Sequence, residues 1–378
     1  MLIYLFIYFL VLCTSLQKNK RINLTICFIL MLFFCFGYMT GSDWRIYENN
    51  YYRMSGFSDL ISYSSSSHEE IGYNFLVALA NTLGIGFWPF HIALKCLVIL
   101  TLFKTIESFN VCVSQYFVLY FASVCFIFID CPFRNMIAWG IFLYSIRFIK
   151  VKRLVPYLIS CAIATSIHFT GIIMIPIYFI YHKRKTMNLL IVLLVMAGLY
   201  VFAFMGTGLI EMVNMLTATS EFAEERLSNY TDSDTFSYSP INSVTIFYLI
   251  LFIIVFLCRK DIEKQQYGKE MLNLFYLHQI LIPIANSFRI FDRFTLYLVF
   301  FSTITTIYLF RSVANKELRM SLISFVILFS FAKLCFVLTQ DCRYIPYSNY
   351  LQYIGDQPSY GYRDSYNPHN SPYKDFNR

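Results

Sequence analysis

The sequence predicts an all-α, polytopic integral membrane protein. Of 378 residues, 58% are hydrophobic and only 14% charged, whereas soluble domains carry about 25% charged positions. Apolar runs of roughly 17–25 residues recur, the length a helix needs to cross about 30 Å of hydrocarbon. No ten-residue segments alternate apolar and polar positions, as a membrane barrel requires.

In chain order, spans are expected at 2–16, 22–40, 88–107, 115–130, 135–149, 154–167, 169–182, 189–206, 242–258, 271–287, 294–310 and 320–338. These are about 12 transmembrane or partially spanning helices, several short enough to be tilted or broken. The first run has no basic residue before it and no small-residue cleavage site after it, so it reads as a retained helix. A single transmembrane domain, 1–338, is expected, with outer-face loops at 41–87 and 207–241. The tail, 339–378, is rich in Tyr, Asn, Asp and Pro and is expected to extend from the outer face, packing loosely or not at all.

Basic residues set the orientation. Lys18, Lys20 and Arg21, Lys104, Lys150 to Arg153, Lys183 to Lys185, Arg259 to Lys269, and Arg311 to Arg319 collect on one side of these spans, which the positive-inside rule makes cytoplasmic. Both termini then lie outside. The net charge of +8 is sidedness rather than a nucleic-acid footprint. Residues 154–182, bounded by two basic clusters, must cross twice with the turn near His168. Glu70 to Leu83 cannot span without inverting everything downstream, so it reads as a membrane-edge helix of the long first outer loop.

Several chemistries find no support. Neither G-x-x-x-x-G-K-[ST] nor G-x-G-x-x-G occurs, so no nucleotide is indicated. The eleven cysteines show no C-x-x-C and no metal-ligand spacing. No cofactor is implied, although a metal ion is compatible with the sequence. A Cys131–Cys342 pair on the outer side stays open. Ser64 to Ser67 reads as flexible loop, and no internal repeat is visible.

Before the tail, the outer basic residues are Arg45, Arg53, Arg134, Arg226, Arg289 and Arg293, with no lysine among them. A guanidinium fork matches phosphate oxygens in a bidentate way, which points to a phosphate-bearing ligand. The alternative is snorkelling or pairing with a neighbouring acid, as Arg293 with Asp292. In CPFRNMIAWGIF, Arg134 sits at the outer mouth of a helix, with Asp130 as a candidate partner. Arg289 and Arg293 are four apart and share one helical face, suited to gripping a pyrophosphate. Asp43, just after the second span, is either a base at the membrane surface or a helix cap. Glu69 and Glu70 open a helix, where the macrodipole favours acids and where a general base would also serve. His168 in SIHFTG is a structural histidine or a site residue. Lys95 and Lys333 fall inside spans, lining a cavity or snorkelling. Trp44, Tyr47, Tyr51, Tyr52 and Tyr63 would stack on sugar rings or form an interfacial belt.

Taken in order, Asp43-x-x-x-Tyr47, Glu70-x-Gly-Tyr73, Arg134-x-x-x-Ala138, the His168 turn and Arg293-x-x-x-Tyr297 resemble the EpsG family of exopolysaccharide polymerases, itself similar to the Wzy polymerases. The resemblance covers about residues 40–340. It departs from the family pattern at Ile167, at Asn135 and in the extra Arg289. It implies a GT-C-like glycosyltransferase of the bacterial inner membrane that joins undecaprenyl-pyrophosphate-linked oligosaccharide repeats into capsule, exopolysaccharide or O-antigen on the outer face. The roles implied are pyrophosphate binding for Arg134, Arg289 and Arg293, and acceptor deprotonation for Glu70 or Asp43 with His168 assisting. Trp44, Tyr47, Tyr73 and Tyr297 would contact sugar. Expected partners are the lipid-linked oligosaccharide, membrane lipids and a chain-length regulator, with no nucleic acid.

Two other classes share the many spans and outward arginines. A lipid-linked oligosaccharide flippase or other transporter would expose charge to both faces in turn and often carries repeated halves. A membrane acyltransferase would use His168 as base but draw acyl-CoA from the opposite face.

Overall fold

Helix forms at each of the twelve expected apolar segments. A computed structural model describes residues 1–17, 19–66, 69–204, 241–287 and 289–372. The described residues are 81% helical, and the one sheet among them is the two-residue pair Gly37–Tyr38 (β1) with Ser348–Asn349 (β2). Four described helices are long and apolar enough to cross a bilayer by themselves: Phe87–Glu107, Val113–Asp130, Phe291–Ser312 and Lys316–Gln340. Shorter apolar helices accompany them, including Leu2–Ser15, Leu154–Ile167 and Ser243–Leu257. An all-helical membrane protein follows, because only internal pairing satisfies backbone groups in lipid.

The chain divides into two compact units, one from residues 1–175 with the chain from 320 onward, the other from 176–319. In the first, α1 (Leu2–Ser15) and α2 (Lys20–Cys35) lead into the long first loop, which holds α3 (Trp44–Arg53), α4 (Leu60–Ser66) and α5 (Ile71–Thr82). The serine run is therefore helical through Ser66 rather than loop, its Ser65 hydroxyl donating to the Ser62 carbonyl. Next come α6 (Phe87–Glu107), α7 (Val113–Cys125, continued by a π turn to Asp130), α8 (Phe133–Lys150) and α9 (Leu154–Ile167). A 3₁₀ turn, Phe169–Ile173, opens α10 (Met174–Tyr181).

Two glycines show how closely the loop is seated. At Gly41, φ is +84° and an added Cβ would stand 2.3 Å from the Ile129 carbonyl oxygen, so only glycine lets the loop start against the end of the π turn. At Gly72, a Cβ would stand 2.3 Å from Ser166 Oγ and 2.7 Å from its backbone. The glycine of the Glu70-x-Gly-Tyr73 motif thus lets α5 lie directly on the end of α9.

The tail corrects the expectation of loose packing. Residues 341–372 fold back onto the first unit and end in a helix, Tyr360–Asn370. Tyr347 Oη donates to the Phe33 carbonyl at 2.7 Å, and Asn349 Nδ2 to that of Leu32 at 3.2 Å. Tyr344 and Arg363 are buried. Its tyrosines supply apolar area, and Tyr347 and Asn349 satisfy two carbonyls that α2 leaves open at its end.

In the second unit, α11 (Leu189–Phe204) is followed by α12 (Ser243–Leu257), α13 (Arg259–Glu263), α14 (Gly268–Ser287) and α15 (Arg289–Ser312). Asn242 and Thr245 form a capping box at the start of α12. Buried Asn273 on α14 accepts from the Met187 backbone N–H at 2.8 Å. The final long helix, α16, runs Lys316–Gln340, and the tail helix Tyr360–Asn370 is α17.

Candidate functional site

Glu70 occupies the N-cap of α5 with extended backbone, yet its carboxylate does not cap that helix. It reaches across to Arg134 on the first turn of α8, whose Nη1 donates to Glu70 Oε2. Its other oxygen accepts from the Phe169 backbone N–H at 3.4 Å. One carboxylate therefore ties together the starts of α5 and α8 and the turn after α9. The pair stays partly open, with side-chain exposures of 21% for Arg134 and 15% for Glu70.

The His168 turn is fixed by side chains. His168 caps the 3₁₀ segment, its Nδ1 accepting from the Thr170 N–H at 3.3 Å and lying 2.7 Å from Thr170 Oγ1. Thr170 Oγ1 in turn lies 3.0 Å from Asn135 Oδ1, the residue following Arg134. His168, Thr170 and Asn135 are all buried.

Aromatic rings roof this cluster. Tyr47 of α3 packs edge-on to Tyr73 of α5 at 5.7 Å and to Phe133 of α8 at 5.6 Å. Burial pushes the Tyr47 hydroxyl up to about 12, opposed by the adjacent Arg134 charge. Glu69 accepts from Asn50 Nδ2 at 3.0 Å. Burial raises its carboxyl above the ordinary carboxylate value, against the smaller pull of Asn50 and Arg134. Two buried atoms here, Arg134 Nε and Tyr73 Oη, have no hydrogen-bond partner among the described residues. A polar ligand would satisfy such groups, whose desolvation is otherwise uncompensated.

Of the residues singled out in the sequence, Glu70, Arg134, His168, Tyr47 and Tyr73 meet in this cluster. Asp43 sits one turn before Tyr47 on α3 and accepts from Ser42 Oγ at 3.1 Å. Trp44 points into the packing against Trp88, 5.4 Å between rings, and is 2% exposed. Arg293 and Tyr297 belong to the second unit, on α15, with Arg293 half-buried and Tyr297 fully buried. Arg289 begins that helix. Arg226 and most of loop 207–241 lie outside the described residues.

One expectation changes, and the structure bears on two questions left open. Asp130 is not the partner of Arg134. It accepts from the Ser42 N–H at 3.2 Å and pairs with Arg343 of the tail at 3.2 Å. The cause is the break between them, where the π turn ends at Asp130, Cys131 adopts a left-handed φ of 59°, and Pro132 precedes α8. The open Cys131–Cys342 question resolves to free thiols, with Cys131 Sγ 3.7 Å from His91 Nε2. Lys95 is buried within the first unit, and Lys333 Nζ lies 3.5 Å from Ser123 Oγ.

Asn135 and Thr170 were not singled out as site residues. The available signals were Asn135 beside Arg134 and a hydroxyl two residues past a histidine, a common local capping arrangement. Among the described residues no three His, Cys, Asp or Glu side chains gather as a metal site.

The sequence model of the EpsG family matches residues 20–353. Neither the curated proteins nor the solved structures include a match. The family match takes in all of α2 through α16, with every residue of the Glu70–Arg134–His168 cluster, and ends before α17. The chain belongs to the EpsG family of Wzy-like exopolysaccharide polymerases, which supports a polysaccharide-polymerase role in exopolysaccharide biosynthesis.

Proposed function

We propose that the protein polymerises undecaprenyl-pyrophosphate-linked oligosaccharide repeats on the outer face of the bacterial inner membrane, by block transfer of the growing glycan. The acceptor hydroxyl attacks the anomeric carbon of the donor glycan. The carbon–oxygen bond to pyrophosphate breaks, a glycosidic bond forms, and the hydroxyl proton passes to a carboxylate. The donor is already activated, so the reaction needs no nucleotide. The GT-C-like architecture with twelve spans and both termini outside belongs to this reading.

The observation that carries it is the Arg134–Glu70 pair under Tyr47. Arg134 is a partly accessible, preorganised cation, suited to the charge that grows on a departing pyrophosphate. Glu70, held by Arg134 and by the Phe169 N–H, lies beside that cation and is the carboxylate placed to take the acceptor proton. Asp43, at the N-cap one turn before Tyr47, is the alternative base, and Tyr47 and Tyr73 back the site as buried rings. Arg289 and Arg293, four residues apart on α15, are a second proposed phosphate-binding pair by sequence position, the Arg289 side chain lying outside what is described. Outer-loop binding of a chain-length regulator completes the proposal.

Deleting the gene tests it. Single repeats exported but unpolymerised are expected, whereas repeats trapped on the cytoplasmic side would replace this reading by a flippase.

A further inference from the structure

Helix α3 carries site residues on one face and tail contacts on the opposite face. At about 100° per residue, Tyr47 and Asn50 project from one side of the helix, and Arg45, Glu48 and Asn49 from the other. On the site face, Tyr47 packs on Tyr73 and Phe133 beside Arg134, and Asn50 donates to Glu69. On the far face, Arg363 grips both oxygens of Glu48. Arg45 Nε donates to Asp364 Oδ1 at 2.6 Å and its Nη2 to the Asp364 carbonyl at 2.8 Å, while Asn49 Nδ2 donates to Tyr360 Oη at 3.2 Å. All three tail residues belong to α17.

A second grip stands just before α3. The Gly41 N–H donates to the Arg343 carbonyl at 2.8 Å, and Arg343 pairs with Asp130, which accepts from both the N–H and the hydroxyl of Ser42. The tail thus holds residues 41–49 at both ends, and Asp43 and Tyr47 lie within that stretch. Such holds matter for this helix in particular. Its sequence, WRIYENNYYR, is ten residues long with half its side chains polar, and a helix of that length is marginal by itself in water. Its partners therefore decide where it sits.

We infer that the tail positions the site: α17, through Arg363, Asp364 and Tyr360, fixes the far face of α3 and so keeps Tyr47 beside Arg134 and Asn50 on Glu69. The fixed position follows from the contacts; its consequence for polymerisation rests on the polymerase reading given above. Arg363, Asp364 and Tyr360 are positioning residues that act through α3, and α17 lies beyond the family match, which ends at residue 353.

Asp364→Arg tests this in the full-length protein in lipid bilayers. Asp364 is half-exposed, so the substitution sets two like charges face to face while costing little stability. Amide hydrogen exchange should quicken by about tenfold across residues 44–53, the scale of one hydrogen bond to a charged group, with α8, α9 and the thermal midpoint unchanged. Unchanged exchange in α3, or equal quickening in α8 and α9, would overturn the inference. Polymer formed in cells at equal protein level should fall by about tenfold or more, since a site group misplaced by about 1 Å costs up to about 100-fold. Because the effect runs through Tyr47, Asp364→Arg should cost distinctly less in the Tyr47→Phe background than in the unchanged chain. Additive losses would contradict positioning of Tyr47 by the tail. A loosened α3 with full polymer would remove the positioning role and leave the polymerase reading standing, since that reading is decided by the fate of repeats after gene deletion.

Discussion

Two arginine–glutamate pairs lie on the first unit, one buried and one partly exposed. Arg363 on α17 donates to both oxygens of Glu48 on α3, at 2.7 and 2.6 Å, and Trp88 Nε1 adds a third donor at 3.2 Å. Side-chain exposure there is 9% and 5%. The Arg134–Glu70 pair is two to three times more exposed, and its carboxylate receives one arginine nitrogen on one oxygen, whereas Arg363 donates to both oxygens of Glu48; the arginine Nε lacks a partner among the described residues in both pairs. Its neighbours are a histidine turn and two tyrosine rings rather than tryptophan packing. The closed pair is a clasp joining the tail to the first loop. The open pair keeps a partly exposed edge, which is what the proposed exchange of Glu70 for a pyrophosphate on Arg134 requires. The family match includes both members of the open pair but only the glutamate of the clasp.

Breaking the clasp should give the largest effect. Arg363→Met strands a buried carboxylate and should destabilise the protein by about 3–5 kcal/mol, lowering its thermal midpoint in detergent. Adding Glu48→Leu should recover most of that loss, since a well-packed apolar replacement removes both desolvated charges. Failure of the double variant to recover would mean that the tail holds α3 by other contacts. Glu70→Gln should leave the fold intact and cut polymer formation by roughly 100-fold or more, the range for loss of a general base. If Glu70→Gln lost protein level instead of activity, the two pairs would be the same kind of object. Tyr47→Phe keeps the ring and removes the hydroxyl beside Arg134. A loss of about tenfold in polymer is expected, as for a hydrogen bond to a charged group.

The smallest effect concerns Glu69. Burial raises its carboxyl above the ordinary 4.5, so the folded state holds its proton to higher pH than the unfolded chain. Stability therefore falls as pH rises from about 4.5 through the raised value, and the penalty persists above it. Glu69→Gln should thus give a small rise in thermal midpoint at neutral pH that disappears below about pH 4.5. A gain that is unchanged at acid pH would assign the effect to something other than this charge.

Helix positions were legible because an apolar run of spanning length has few alternatives, and a helix also forms at Ile71–Thr82, within the long first loop. The site was legible in its members but not in its pairings. Glu70 and Arg134 are 64 residues apart, and nothing local couples them. Asp130 was chosen for Arg134 by sequence proximity, a rule that holds on one continuous helix and fails across the break at Cys131 and Pro132. The tail misled because Tyr and Asn read as polar extension when unpaired, whereas opposite the end of α2 they are packing area and donors. Asn135 and Thr170 gained meaning only when the turn after α9 was set against α8.

The most direct measurement is polymer formed by Arg134→Lys at normal protein level. Lysine keeps the charge opposite Glu70 but loses the planar fork that matches phosphate oxygens. The pyrophosphate-exchange account predicts a fall of about 100-fold or more, comparable to removing one preorganised donor from a charge-stabilising site. Full polymerising activity in that variant would contradict it.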